Sequence, residues 1–98
     1  MKQVIVRPAA AADIEDAYEW YESRQSGLGD EFLDALRTTR DRLLEHPEAY
    51  PVLHRDTRRV LIAERFPYAL FYRIYGDMVV VVACLHAKRD PRRWQRRT

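Results

Sequence analysis

The fold is decided by the stretch YALFYRIYGDMVVVVACLH, residues 68–86, in which two apolar runs flank a Gly-Asp pair. Both runs are rich in aromatic and β-branched residues, which favour β-strands. A two-residue loop with glycine first is typical of a tight hairpin turn. We therefore predict an antiparallel hairpin whose opposed pairs are Tyr75 with Met78, Arg73 with Val80, Phe71 with Val82 and Ala69 with Cys84.

Alternation along this hairpin divides its side chains between two faces of a sheet. We assign one face to a core covered by helices: Leu70, Tyr72, Ile74, Val79, Val81, Ala83 and Leu85. The other face carries Ala69, Phe71, Arg73, Tyr75, Met78, Val80, Val82, Cys84 and His86. This second face is also largely apolar and therefore needs a cover, supplied either by the C-terminal tail through Trp94 or by another chain.

The N-terminal residues predict a strand followed by a helix. The run Lys2–Arg7 is short and rich in β-branched residues, and Pro8 suits the first turn of a helix. In that helix an apolar stripe is formed by Ile14, Ala17, Tyr18 and Tyr21, and acidic residues including Asp13 are assigned to the solvent-facing side.

A second helix and a third strand of the sheet follow in the sequence. Asp30, after a glycine loop, is a predicted N-cap for a helix that runs to about Glu45, so the two helices form a hairpin. The run RRVLIA, residues 58–63, pairs with the hairpin strands in a three-stranded antiparallel meander. The fold class is thus α+β, with an N-terminal strand, a helical hairpin packed on one face of the sheet, and the meander.

Composition limits the class of protein. With 98 residues the chain has room for one core, and we expect a single domain, 1–98, that ends in a basic tail, 87–98. The single cysteine excludes an intramolecular disulfide and fits a reducing, cytoplasmic location. We find no predicted signal peptide or membrane span and expect no membrane association.

Charge is distributed unevenly along the chain. Residues 1–50 hold 11 acidic and 6 basic side chains, a net charge of −5, whereas residues 51–98 hold 4 acidic and 11 basic ones, a net charge of +7. Six basic residues lie in the tail: Lys88, Arg89, Arg92, Arg93, Arg96 and Arg97. This asymmetry favours an acidic or polyanionic partner.

Residues that could carry chemistry are few. The three histidines are dispersed and lack carboxylate neighbours at ligand spacing, so we predict neither a metal site nor a cofactor. His86 is the best candidate for proton transfer, the alternative being a strand-end histidine hydrogen-bonded to the backbone. Arg73 needs a partner, which is either an acid, Glu64 or an acidic helix residue, or a bound anion. Arg58 is expected close to Arg73. His86 is expected six residues along the strands from Arg73, a distance of about 20 Å.

The motifs RRVL, FPYALFYRI, VVVACLH and RDPxxW resemble the RelE/ParE superfamily of type II toxins, also described as plasmid-stabilisation proteins. The likeness spans nearly the whole chain and is most specific from Phe66 to Trp94. It implies a growth-inhibiting toxin that is neutralised by a cognate antitoxin, whose disordered segment folds over the apolar, basic face of the sheet. Operator DNA is expected to be reached only through that antitoxin.

The superfamily has two modes of action. Some members cleave mRNA on the ribosome without a metal, and here the candidates for that chemistry are Arg58, Arg73, His86 and Arg89. Others inhibit DNA gyrase. Many RNA-cleaving members have an arginine where this sequence has Ala69, and some have a terminal tyrosine that this tail lacks. We therefore predict the ParE-like mode, inhibition of DNA gyrase or another essential target. The alternatives are the RNA-cleaving mode and a basic binding module that is not toxic. The residues predicted to bind target or antitoxin are Phe71, Arg73, Val80, Val82, Lys88, Arg89, Arg92, Arg93 and Trp94.

Overall fold

The hairpin lies at the centre of the sheet in the computed structural model, which describes residues 3–98. Strand β1 spans Gln3–Val6, helix α1 Pro8–Arg24, helix α2 Leu28–Glu45, strand β2 Val52–His54, strand β3 Thr57–Leu61, strand β4 Tyr68–Tyr75, strand β5 Met78–His86 and helix α3 Arg92–Gln95. A single 3-10 turn, Pro47–Ala49, links α2 to β2. The predicted α+β class is confirmed.

The five strands are arranged in the order β1-β5-β4-β3-β2. The predicted meander corresponds to β3, β4 and β5, which pair antiparallel. Strand β1 pairs parallel with β5, and the short β2 adds an outer edge strand that the sequence did not predict. Lys2, which the predicted first strand includes, lies outside the described residues.

The register of the hairpin follows the prediction only near the turn. Tyr75 pairs with Met78 and Arg73 with Val80, as expected. Between Phe71 and Tyr72 the register shifts, so that Tyr72 faces Val81 but Phe71 faces Ala83 and Ala69 faces Leu85. The predicted pairs of Phe71 with Val82 and of Ala69 with Cys84 are therefore wrong, because a β-bulge places one extra residue, Val82, in β5.

The bulge changes which face four residues occupy. His86 pairs with Tyr68 and lies on the helix-covered face, not on the other face as predicted. Cys84 joins the core beneath the helices, whereas Ala83 and Leu85 lie on the opposite face, the reverse of the prediction. Past the end of β1, the Cys84 backbone N–H donates to Asp13 Oδ2 at 3.0 Å. A side chain of α1 thus satisfies a backbone donor for which β1 no longer offers a partner.

The two long helices pack on the inner face of the sheet. Of the predicted stripe in α1, Ala17 and Tyr21 are buried, and Ile14 lies at the edge of the same core. Tyr21 stacks on Phe32 from α2 with ring centroids 5.3 Å apart and meets Phe66 edge to face at 4.9 Å. Aromatic packing therefore joins both helices to the segment that precedes β4.

The start of α2 differs from the prediction. The helix begins at Leu28, and its N-cap is Gly27, whose φ of +89° is in the left-handed region. Asp30 lies inside the first turn, so its assignment as the N-cap is wrong. The carboxylate of Glu22 on α1 accepts hydrogen bonds from the N–H groups of Gly27 and Gly29, at 3.0 and 2.9 Å. An acidic residue of the preceding helix thus performs the role expected of a local cap.

Candidate functional site

The C-terminal tail folds back over the outer face of the sheet, which is the face that bears no long helix. Trp94, in α3, is 5% exposed, and its ring stacks on Phe71 with centroids 4.6 Å apart and planes 18° apart. It forms a second apolar cluster with Ala69, Phe71, Val80, Val82, Ala83 and Leu85. Of the two covers that the sequence left open, the tail of the chain itself is the one observed.

An ion pair fixes the end of this tail. Arg97 donates to Asp13 through Nη1 to Oδ2 at 2.5 Å and Nη2 to Oδ1 at 3.2 Å, and its Nη1 also donates to the carbonyl of Val82 at 3.1 Å. The Asp13 side chain is 4% exposed. One carboxylate therefore joins α1, the bulged region of β5 and the end of the tail.

Sequence reasoning missed Asp13, which it assigned to the solvent-facing side of α1. A signal was present, because Asp13 is three residues after Ala10 and four before Ala17, both of which are buried. Residues at that spacing share one helix face. An acid in such a position indicates a buried partner, since a lone buried carboxylate is costly.

The other basic residues of the tail are exposed. Arg92 pairs with Asp90 at 2.6 Å, and hydrogen bonds from the Arg92 side chain and backbone lower the pKa of Asp90 to about 2. Within residues 3–98, no carboxylate lies within 4.0 Å of the remaining four. We call these four, Lys88, Arg89, Arg93 and Arg96, the tail surface.

The four candidates for RNA cleavage are not gathered at one place, because only His86 and Arg89 are neighbours. Arg58 faces Tyr72 on the inner side of the sheet and donates to the carbonyls of Glu48 and Tyr50, at 3.0 and 2.7 Å. Arg73 is the next residue along β4 and faces the outer side, so Arg58 and Arg73 are close along the backbone but their side chains lie on opposite faces of the sheet.

Arg73 has a different partner from those predicted, and it stays distant from His86. Its guanidinium pairs with Asp56 at 3.3 Å, not with Glu64 or a helix residue. His86 is opposite Tyr68, five residues along β4 from Arg73. The bulge thus shortens the expected separation by one residue, to about 17 Å, which is still too far for one small catalytic centre.

His86 and Arg89 are neighbours at the end of β5. The backbone N–H of Arg89 donates to the His86 carbonyl at 2.9 Å, and that of Lys88 donates to His86 Nδ1 at 3.2 Å. The neutral His86 ring therefore carries its proton on Nε2. Its edge meets Tyr68 with centroids 5.6 Å apart.

Among residues 3–98, no three His, Cys, Asp or Glu side chains are grouped closely enough to hold a metal ion. In the same part of the chain, no helix combines the length and the apolar character that a membrane crossing needs.

Cys84 is buried, and this burial, followed by the charge of Asp13, raises its pKa to about 12.

Comparison with known proteins identifies the family. A family model described as the ParE toxin of the type II toxin–antitoxin system parDE matches residues 4–91. The chain belongs to the ParE toxin family. The predicted RelE/ParE-type toxin is thus confirmed, and in this ParE-family toxin helix α3 begins one residue beyond the matched region.

A solved structure shares the fold of this ParE-family toxin. A chain described as the chromosomal ParDE toxin–antitoxin system from P. aeruginosa superposes with a TM-score of 0.64 at 17% sequence identity, covering 88% of this chain and 96% of that chain. At that identity the likeness concerns the fold. A search of curated proteins found no significant match.

Proposed function

We propose that this ParE-family toxin blocks growth by binding DNA gyrase or another essential protein target through the tail surface. The observation that carries the proposal is that four exposed, unpaired cations are held by a tail that Trp94 and Arg97 fix to the domain. The separation of Arg58, Arg73 and His86 supports binding rather than RNA cleavage as the mode of action.

The fixed tail favours tight binding to an acidic target. A loose basic segment would lose conformational freedom on association, whereas residues 87–98 are already ordered, so that cost is smaller. Exposed arginines also accelerate encounter with an acidic surface. On this proposal residues 1–98 act as one toxin domain in the cytoplasm, with the tail as its contact element.

The partner that neutralises the toxin is a cognate antitoxin that competes for the same surface. Phe71, Val80 and Val82 are already covered by Trp94, so an antitoxin has direct access to the arginines but not to these three side chains. We therefore propose an acidic antitoxin segment that folds along the tail surface, with operator DNA bound only through the antitoxin.

Induction of the toxin without its antitoxin tests the mode of action. Inhibition of gyrase predicts filamentation and DNA-damage signalling before translation stops, and purified toxin should inhibit supercoiling by gyrase. Immediate arrest of translation, with mRNA cut at fixed codon positions, would instead establish the RNA-cleaving alternative.

Matched variants test the role of the tail surface. The double change Arg93→Gln with Arg96→Gln should abolish growth inhibition while leaving the unfolding midpoint nearly unchanged, because both side chains are exposed. Arg37→Gln with Arg40→Gln on α2 removes the same charge at another surface and should stay toxic. Equal toxicity of both double variants would show that the tail surface is dispensable.

A further inference from the structure

A basic and aromatic groove lies between the C-terminal end of α1 and the ends of β4 and β5. Its volume is about 590 Å³, within the range of small-molecule sites. It is lined by Trp20, Tyr21, Arg65, Pro67, Tyr68, His86, Lys88 and Arg89. We propose that this groove binds a nucleotide, with the base against the aromatic rings and the phosphate at Lys88 and Arg89.

The aromatic side of the groove offers a surface for stacking. Trp20 remains 49% exposed although the guanidinium of Arg24 lies 4.5 Å from its ring centroid, so part of its ring is free for a ligand. Tyr68 and His86, which also line the groove, meet edge to face. Stacking of a nucleobase on such rings stabilises the complex whichever of the bases it is.

The polar groups of the groove suit a phosphate. Lys88 and Arg89 have no carboxylate within 4.0 Å in the described part of the chain, whereas Arg65 is paired with Glu31 at 2.8 Å. In the neutral ring of His86 the proton is on Nε2, and burial raises the pKa of Tyr68, so the ring N–H and the Tyr68 hydroxyl can both donate hydrogen bonds. Guanidinium, ammonium and neutral donors together match a phosphate ester.

The balance of rings and charges favours a nucleotide over an acidic peptide. Half of the lining residues carry an aromatic ring, and carboxylate side chains would satisfy the cations but leave those rings without a stacking partner. Asp16 is an acid beside the groove, and it lines a smaller cavity of about 150 Å³ that shares Trp20, Tyr68 and Arg89 with the groove. The phosphate is therefore expected at Lys88, away from that acid.

Calorimetry and tryptophan fluorescence on the full 98-residue chain test the proposal. The probes are AMP, a single-stranded oligoadenylate of eight nucleotides and a peptide of eight glutamates. AMP and the oligonucleotide should bind and quench the fluorescence of Trp20. If only the oligonucleotide binds, the groove takes one nucleotide of a strand; if AMP binds equally well, it takes a free nucleotide.

Variants separate the groove from general electrostatic attraction. Lys88→Gln with Arg89→Gln should weaken binding at least about tenfold, whereas Arg92→Gln with Arg96→Gln, of equal charge change but outside the groove, should have little effect. Trp20→Phe should lose the quenching but keep the binding, because phenylalanine still offers a ring.

Three results would overturn the proposal. The first is that neither nucleotide probe binds, and the second is that both double variants lose nucleotide affinity to the same extent. The third is that the glutamate peptide binds as tightly as the nucleotides and depends in the same way on Lys88 and Arg89. None of these measurements involves gyrase or toxicity. The nucleotide site and the proposed function can therefore fail separately.

Discussion

Replacement of Trp94 by alanine tests whether the tail is an integral part of the domain. Trp94 is 5% exposed and stacks on Phe71 at 4.6 Å, so truncation removes a buried indole and uncovers the outer apolar cluster. Such a change in a core costs about 3–5 kcal/mol. Because α3 is a short element at the surface that can partly collapse, we expect a loss of about 3 kcal/mol in the free energy of unfolding.

This loss is large for a chain of 98 residues, whose total stability is on the order of 5–15 kcal/mol. It corresponds to a fall in Tm of about 12–24 °C. With a slope of about 1–3 kcal/mol per molar urea, the urea midpoint should fall by about 1–3 M. Circular dichroism of the full chain in urea, followed at a wavelength that reports the sheet and helices, measures the effect.

Trp20 supplies the matched control, since it is the same residue type at a site that is 49% exposed. Trp20→Ala should cost about 1 kcal/mol or less. A loss below about 1 kcal/mol in Trp94→Ala, or equal losses in both variants, would refute the packing of the tail on the sheet. The proposal that a fixed tail surface binds the target would then lose its support.

Three further predictions concern the contacts around α1 and the core. Arg97→Gln leaves the buried carboxylate of Asp13 without its cation and should lower the free energy of unfolding in urea by about 3 kcal/mol. The double variant with Asp13→Asn should lose less stability than the sum of the two single losses, and additive losses would contradict the coupling. Gly29→Ala places a Cβ 2.8 Å from the Tyr18 ring and should cost about 1–3 kcal/mol, whereas an unchanged Tm would show that the helices separate easily. Burial raises the pKa of Cys84 to about 12, so a thiol reagent should modify the native chain far more slowly than the urea-unfolded chain. Because the native pKa is above the unfolded value of about 8.5, this group's contribution to stability is complete below that pH and is lost as the pH rises towards 12.

The turn of the hairpin could be predicted, and the bulge could not, for one physical reason. A Gly-Asp loop fixes the register of the residues beside it, so the pairing from Tyr75 to Arg73 followed from local sequence. Farther along β5 the run Val79–Leu85 is apolar without interruption. A shift of one residue in such a run exchanges apolar side chains between two covered faces, so no hydrophobic pattern marks its position.

The same limit applies to the candidate site. The need for a cover over the outer face followed from the composition of the two strands, and Trp94 followed as the residue that could provide it. The spatial partners of Arg58 and Arg73 did not follow, because they depend on the β3–β4 register and on the loop that carries Asp56, neither of which has a turn signal as clear as Gly-Asp.

Two different kinds of contact hold the tail, and each supplies what the other lacks. Stacking of Trp94 on Phe71 stabilises the folded-back tail by removing apolar surface from water, but apolar contact tolerates sliding and rotation. The ion pair of Arg97 with Asp13 has a defined geometry, because two guanidinium nitrogens meet two carboxylate oxygens. A buried pair of this kind adds little net stability but penalises every arrangement that separates its charges. The position of the cations on the tail surface is therefore set by the ion pair, and the stability of that position is set by the tryptophan.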